Sequence, residues 1–174
     1  MIFIDKPGFV CGGVDMIIIL GDRTEETVRV YFEKSQQPEI KKMLPQKAKS
    51  VEEAISDYRK TLLSDSTSYG RTINVDGDYI GDVWCYCIDK SDIPEAMLSF
   101  CIFEETYLNK GIATEAVSLF LKEIQEKYEL KTIGAFTFSD NYASQRVLEK
   151  NKFQFFEEFI EDGKASKYYQ LSLR

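Results

Sequence analysis

The chain has 174 residues, enough for one compact domain, and its 44% hydrophobic and 13% aromatic content supplies a core and argues against disorder. With 22 Lys and Arg against 29 Asp and Glu, the formal charge of -7 repels phosphate backbones and anionic lipid, so neither nucleic acid nor a membrane is an expected partner. Histidine is absent, which removes serine–histidine triads, cysteine–histidine dyads and every imidazole base from the protein's own chemistry.

The first ten or so residues carry no readable pattern. Met16 to Leu20 is a five-residue apolar run, too short for a membrane span or a signal core, and Asp5 and Asp15 are wrong flanks for either. It reads as a buried strand, and the expected address is the cytoplasm. Glu25 to Lys34 suits a helix with Val28, Tyr31 and Phe32 on one face. Pro38 and Pro45 bracket a turn-rich connection holding Ile40, Met43 and Leu44. Ser50 precedes Glu53 by three, a capping-box spacing, and opens a helix through Ala54, Ile55, Tyr58, Leu62 and Leu63.

Tyr69–Val75 and Tyr79–Ile88 read as strands flanking the hairpin turn Asp76-Gly77-Asp78, and Ala96–Phe103 as the next strand. From Ile112 to Tyr128 the period turns helical, with Ala113, Ala116, Val117, Phe120, Leu121, Ile124 and Tyr128 on one stripe. Thr132–Phe138 is a strand, Tyr142–Glu149 a helix, and Phe153–Ile160 a strand. Asp162-Gly163 then turns the chain into a last strand, Tyr168–Leu173. Such an order is α+β, with a strand–helix–strand crossover near the end. Cys85 and Cys87 lie in a strand-like run, while Cys11 and Cys101 stand alone. Without Cys-x-x-Cys spacing or histidine they read as buried reduced thiols and not as a metal site.

Two segments carry chemistry. In Leu108-Asn109-Lys110-Gly111-Ile112-Ala113-Thr114-Glu115-Ala116 a strand ends, a glycine follows and a strong helix begins. Unpaired N–H groups and about half a positive charge at a helix start suit a phosphate. Gly111 admits close approach, Ala113 keeps the first turn uncrowded, Thr114 offers a hydroxyl and Lys110 a charge. In the second segment, Asn141 and Ser144 open the helix that runs on through Val147-Leu148-Glu149-Lys150. Both helices begin at the same sheet edge.

Together these runs resemble the GNAT superfamily of N-acetyltransferases, nearest to its RimJ/RimL branch. Asn109 to Ala116 resembles that branch's pyrophosphate loop; Asn141, Ser144, Val147 to Lys150 and Phe153 resemble its second signature; Ile80-Gly81-Asp82 resembles its glycine-containing central strand. The likeness spans roughly Met16 to Arg174 within one domain covering residues 1–174. The resemblance implies a GNAT-like mixed, mostly antiparallel twisted sheet of about seven strands flanked by helices, splayed open beside Cys101 and Ala135. It implies acetyl-CoA as co-substrate and no metal. The pantetheine arm would pair with backbone from Cys101 through Ile102 to Phe103, the diphosphate would lie on Lys110, Gly111, Ile112, Ala113 and Thr114, and Asn141 and Ser144 would meet the arm and its sulfur. Two positions depart from the pattern: Leu108 replaces Gln or Arg, and Lys152, beside Asn151, replaces a glycine that often needs positive φ.

The expected activity is transfer of acetyl to a primary amine, a protein N-terminus or a small cation such as a polyamine, within a ternary complex. Ser144 is the expected proton donor to sulfur; Glu104, Glu105 and Asp82 are the base candidates. Their charge near the opening would favour a cationic acceptor. A non-catalytic acyl-CoA-binding regulatory module is the alternative, a cofactor-free interaction domain the blander one, and the chain is expected as a monomer or homodimer.

Overall fold

The computed structural model describes residues 8–11, 14–44, 47–89 and 91–173. Among them, eight strands form one sheet: β1 (Gly8–Cys11), β2 (Val14–Asp22), β3 (Tyr69–Val75), β4 (Asp78–Tyr86), β5 (Glu95–Ile102), β6 (Thr132–Phe138), β7 (Gln154–Glu161) and β8 (Lys164–Ser172). Their order is β1-β2-β3-β4-β5-β6-β8-β7. Only the β5–β6 pair is parallel. The helices are α1 (Glu25–Lys34), α2 (Pro38–Met43), α3 (Val51–Thr61), α4 (Ile112–Lys127) and α5 (Tyr142–Lys150), with a 3-10 turn at Glu105–Tyr107. The class is the expected α+β domain with a mixed, mostly antiparallel sheet. No described helix is long and apolar enough to cross a membrane.

Local rules account for most of these elements. Thr24 and Thr27 cap α1 reciprocally: the Thr27 N–H donates to Thr24 Oγ1 at 3.2 Å and the Thr24 N–H donates to Thr27 Oγ1 at 2.8 Å. At α3 the Glu53 N–H donates to Ser50 Oγ as the spacing predicts, but Glu53 itself accepts from the Lys49 N–H, one residue earlier than a closed box requires. Asp76 and Gly77, at φ 52° and 99°, make the tight turn between β3 and β4, with Val75 facing Asp78. On α4 the stripe Ala116, Val117, Phe120 and Ile124 is fully buried against β2, β4, β5 and α5. Full burial of a side chain such as Phe120 contributes roughly 1.5–3 kcal/mol.

Four expectations need correction. The strand β1 was not expected, because four residues in a pattern-free leader give no period to read. The connection after Pro38 is the helix α2, with the proline at its first turn, where ring closure pre-sets φ; Pro45 lies outside the described residues. β8 begins at Lys164, four residues before the apolar run, since its hairpin partners Ile160 and Glu161 hold the polar residues in register. Of the thiols, Cys85 is buried and Cys101 half-buried, but Cys87 is exposed at φ 51°, just past the end of β4. The side chain of Cys11 lies outside the described residues.

Candidate active site

β5 and β6 pair only where Glu95, Ala96 and Met97 face Thr132, Ile133 and Gly134. Beyond that the register lapses, and Leu98–Ile102 separates from Ala135–Phe138, which stays joined to β8. A cleft of about 660 Å³ opens there. The strand behind it is drawn close: Gly81 faces Ile102, and a Cβ at Gly81 would overlap the Cys101 carbonyl oxygen. Glycine at 81 is what lets β5 sit at this distance.

Two helices begin on the cleft. Gly111 caps α4 in the left-handed region, at φ 79°, with no side-chain cap, and Asn109 two residues earlier is also left-handed at 59°. The first-turn amides of α4 therefore have no side-chain acceptor. Asn141 caps α5 differently, its Oδ1 accepting from the Ser144 N–H at 3.1 Å. That leaves Nδ2 as the end of Asn141 available to a ligand. The Ser144 hydroxyl has no hydrogen-bond partner among the described residues, and both residues line the cleft.

The predicted residues divide into two groups. Cys101, Ile102, Gly111, Ile112, Ala113, Thr114, Asn141 and Ser144 line the one cleft. Phe103, Lys110, Glu104 and Glu105 do not. Phe103 is buried against Tyr31 and Tyr79, with ring centroids at 6.3 and 5.1 Å, and its N–H donates to the Ile80 carbonyl at 3.0 Å. That amide is not free to pair with a ligand. Lys110 is exposed, its Nζ 5.7 Å above the Tyr107 ring. Glu104 accepts from Lys34 Nζ at 2.5 Å, and Glu105 sits exposed on the 3-10 turn.

Asp82 is also away from the cleft lining. It is fully buried, with Arg23 Nε at 3.0 Å and the Tyr79 hydroxyl donating at 2.9 Å. Burial pushes its carboxyl up to about 6, against the pull of Arg23 and the Tyr79 hydrogen bond. Burial likewise pushes the Cys101 thiol up to about 12, the charge of Asp82 adding to it and a hydrogen bond with Tyr31 opposing. A thiol so held is a poor nucleophile.

Other lining residues had not been singled out as site residues: Glu39, Ile40 and Met43 of α2 with Leu44 just after it, Ser99, and Arg146 and Lys150 of α5. The last two follow Tyr142 at steps of four, so a helical stripe was there to be read. The α2 residues had no such signal. At the far end of α5, Lys152 takes the left-handed conformation at φ 70° while Asn151 does not. The Phe153 N–H donates to Leu148 O and the Lys152 N–H to Glu149 O, closing a Schellman motif with Leu148 and Phe153 both buried. Asn151 Nδ2 donates to the Thr114 carbonyl at 3.1 Å, tying this end of α5 to the first turn of α4.

A sheet split beside two helix starts defines an acyl-coenzyme-A-binding transferase domain. Residues 18–154 match the model of the acetyltransferase (GNAT) domain, and the chain belongs to that family. It is an acetyl-CoA-dependent acetyltransferase with acetyl-CoA as co-substrate, and its fold is RimJ/RimL-like. The fold is similar to that of RimL, a ribosomal L7/L12 alpha-N-protein acetyltransferase, in complex with coenzyme A: TM-score 0.76, 16% identity, 97% of each chain covered. It is also similar to RimJ of Mycobacterium smegmatis (TM-score 0.75, 15% identity, 90% of this chain and 82% of that one). A third similar structure is the aminoglycoside acetyltransferase AAC(6')-Ib with coenzyme A (TM-score 0.74, 15% identity, 89% and 94%). No curated protein sequence matches the chain.

Proposed function

We propose that the protein moves an acetyl group from acetyl-CoA to a primary amine, that of a protein N-terminus or of a small cationic molecule, by direct attack in a ternary complex. The observation that carries this reading is the left-handed, uncapped start of α4 at Gly111, facing the split between β5 and β6. The residues fit the donor. Amides at Ile112, Ala113 and Thr114 and the positive end of the α4 dipole suit its diphosphate, with Lys110 flanking. The unpaired stretch of β5 suits its pantetheine arm through Cys101 and Ile102, and Asn141 Nδ2 suits an amide carbonyl.

Acetyl-CoA supplies a thioester whose acyl carbon accepts the amine nitrogen. The chain's part is to hold the arm, exclude water and move protons. Ser144, with its hydroxyl unengaged on the first turn of α5, donates toward the leaving sulfur. The base candidates are less open than their sequence positions imply: Lys34 holds Glu104 and Arg23 holds Asp82. Glu105 has no ion pair among the described residues but stands outside the cleft lining. That favours an acceptor needing little deprotonation. At pH 7 a lysine-type amine of pKa about 10.4 costs roughly 4.6 kcal/mol to neutralise, an α-amine of pKa about 8 only about 1.4. Release of free thiol from acetyl-CoA, followed with and without a panel of amines, tests the reading. Amine-dependent release is expected; tight binding with no release for any amine would leave only a non-catalytic acyl-CoA-binding module.

A further inference from the structure

The cleft has a second wall, which would meet the acceptor if acetyltransfer is the activity of this site. Ile40 and Met43 of α2 and Leu44 just after it present an apolar surface to the cleft, with Glu39 next to them. Glu39 is the single carboxylate among the lining residues, and its side chain has no ion pair or hydrogen bond among the described residues. The same lining carries two cations, Arg146 and Lys150. The formal charge of -7 is thus not gathered at the site, contrary to what Asp82, Glu104 and Glu105 suggested.

Phe136 also lines the cleft, 53% exposed although it lies in a central strand. Its ring meets Phe159 at 5.6 Å and Tyr168 at 4.9 Å, and Phe156, 63% exposed, meets Tyr168 at 5.7 Å. These rings form one aromatic surface that begins inside the cleft and runs outward over β6, β8 and β7. Aromatic faces attract both apolar groups and organic cations. A polyamine would find a single carboxylate among the lining residues for its several charges.

We infer that the acceptor is an amine bearing one positive charge on an apolar or aromatic body. Glu39 draws the ammonium group, the nitrogen gives its proton to water before it attacks the thioester carbon, and the body lies against α2 and the surface that starts at Phe136. This makes Glu39 and Phe136 specificity residues of the acceptor site, separate from the donor cradle on α4.

The experiment compares two α-amines, phenylalanine amide with one positive charge and arginine amide with two, as acceptors for the wild type, Glu39→Gln and Phe136→Ala, with acetyl-CoA affinity measured by calorimetry and mass by light scattering. The wild type should prefer phenylalanine amide by about tenfold or more in kcat/KM. Glu39→Gln should raise KM for that amine about tenfold, and Phe136→Ala several-fold, with acetyl-CoA affinity unchanged. A preference for arginine amide, or unchanged KM in both variants, would overturn the inference alone; bound acetyl-CoA with neither amine turned over would also overturn it, and thiol release with another amine of the panel would then keep the acetyltransfer reading. If Phe136→Ala only turned a dimer into a monomer, the aromatic surface would belong to a second copy, and the inference would fall. A wild type that does not bind acetyl-CoA would remove the acetyltransfer reading, and this one with it.

Discussion

Helices α4 and α5 open onto the same cleft, yet they begin in opposite ways. α4 starts at Gly111 in a left-handed conformation with no side chain over its first amides. α5 starts at Asn141, which accepts from one of its amides directly. Both helix starts carry about half a positive charge, so charge alone does not separate them. What differs is whether the chain satisfies its own donors. An uncapped start forgoes the stability that a side-chain cap contributes, about 1 kcal/mol, and keeps its donors for an anion. A capped start is rigid by itself and can carry side chains, here Ser144, at a fixed position. On the proposed function, the α4 start holds the diphosphate, while α5 carries Ser144 and the Asn141 amide.

The largest expected effect tests the α4 side. Gly111→Val forces a branched residue to φ 79° and puts its Cβ on the cradle, so acetyl-CoA affinity should fall well over tenfold, toward about 2.7 kcal/mol. Calorimetry on a folded variant measures it, and unchanged affinity would remove the distinction between the two starts. Next is Ser144→Ala on the α5 side. Turnover should drop about ten- to a hundredfold, with acetyl-CoA affinity nearly unchanged. If the variant turns over normally, the proton comes from water or Tyr142, and α5 has no chemical part.

Asn141 sharpens the comparison further. Asn141→Ala removes the cap and should lower stability by about 1 kcal/mol, seen as a Tm lower by roughly 2–4 °C. Asn141→Asp keeps a capping oxygen and suits the helix start, so stability should hold while loss of Nδ2 weakens acetyl-CoA binding. Equal losses of stability in both variants would show that the side chain is more than a cap. The smallest effect is at the other end of α5. Lys152→Gly relieves a left-handed lysine at φ 70° but frees the unfolded chain, for a net gain of about 0.5 kcal/mol by thermal melting. A loss on melting would show that the lysine side chain makes up for its backbone strain.

How much of this was legible depends on range along the chain. Helix α1 matches its reading residue for residue, and β3 and β6 do as well, because periodicity and caps act within a few positions. The two helix starts on the cleft were legible for the same reason: Gly111 before a strong stripe and Asn141 three before Ser144 are local patterns. The helix on the other wall, α2, was not. Six residues of α2 complete too few turns to show a period, so Glu39 and its apolar neighbours read as a loop. The carboxylates misled because their partners are remote: Lys34, which holds Glu104, lies 70 residues away. The Phe103 amide was engaged by Ile80 through a strand register that no single segment displays. Local chemistry marks where a ligand can bind; which acids are free is decided by tertiary pairing.

The short β5–β6 joint bears on the order in which the molecule assembles. The hairpins β3–β4 and β7–β8 close through two-residue turns at Asp76-Gly77 and Asp162-Gly163, with partners adjacent in the chain. Parallel pairing of β5 with β6 must instead wait until the whole of α4 has formed and crossed, and it is rewarded by only three residue pairs. Loop closure comes before such a contact returns anything, so it belongs late in folding. We expect the two sheet halves to form first and to be locked together last, with the acetyl-CoA cleft appearing only at that step. Pulse-labelled hydrogen exchange reads this directly: protection at Met97 and Gly134 should lag behind protection in both hairpins, and simultaneous protection would show that the halves condense together.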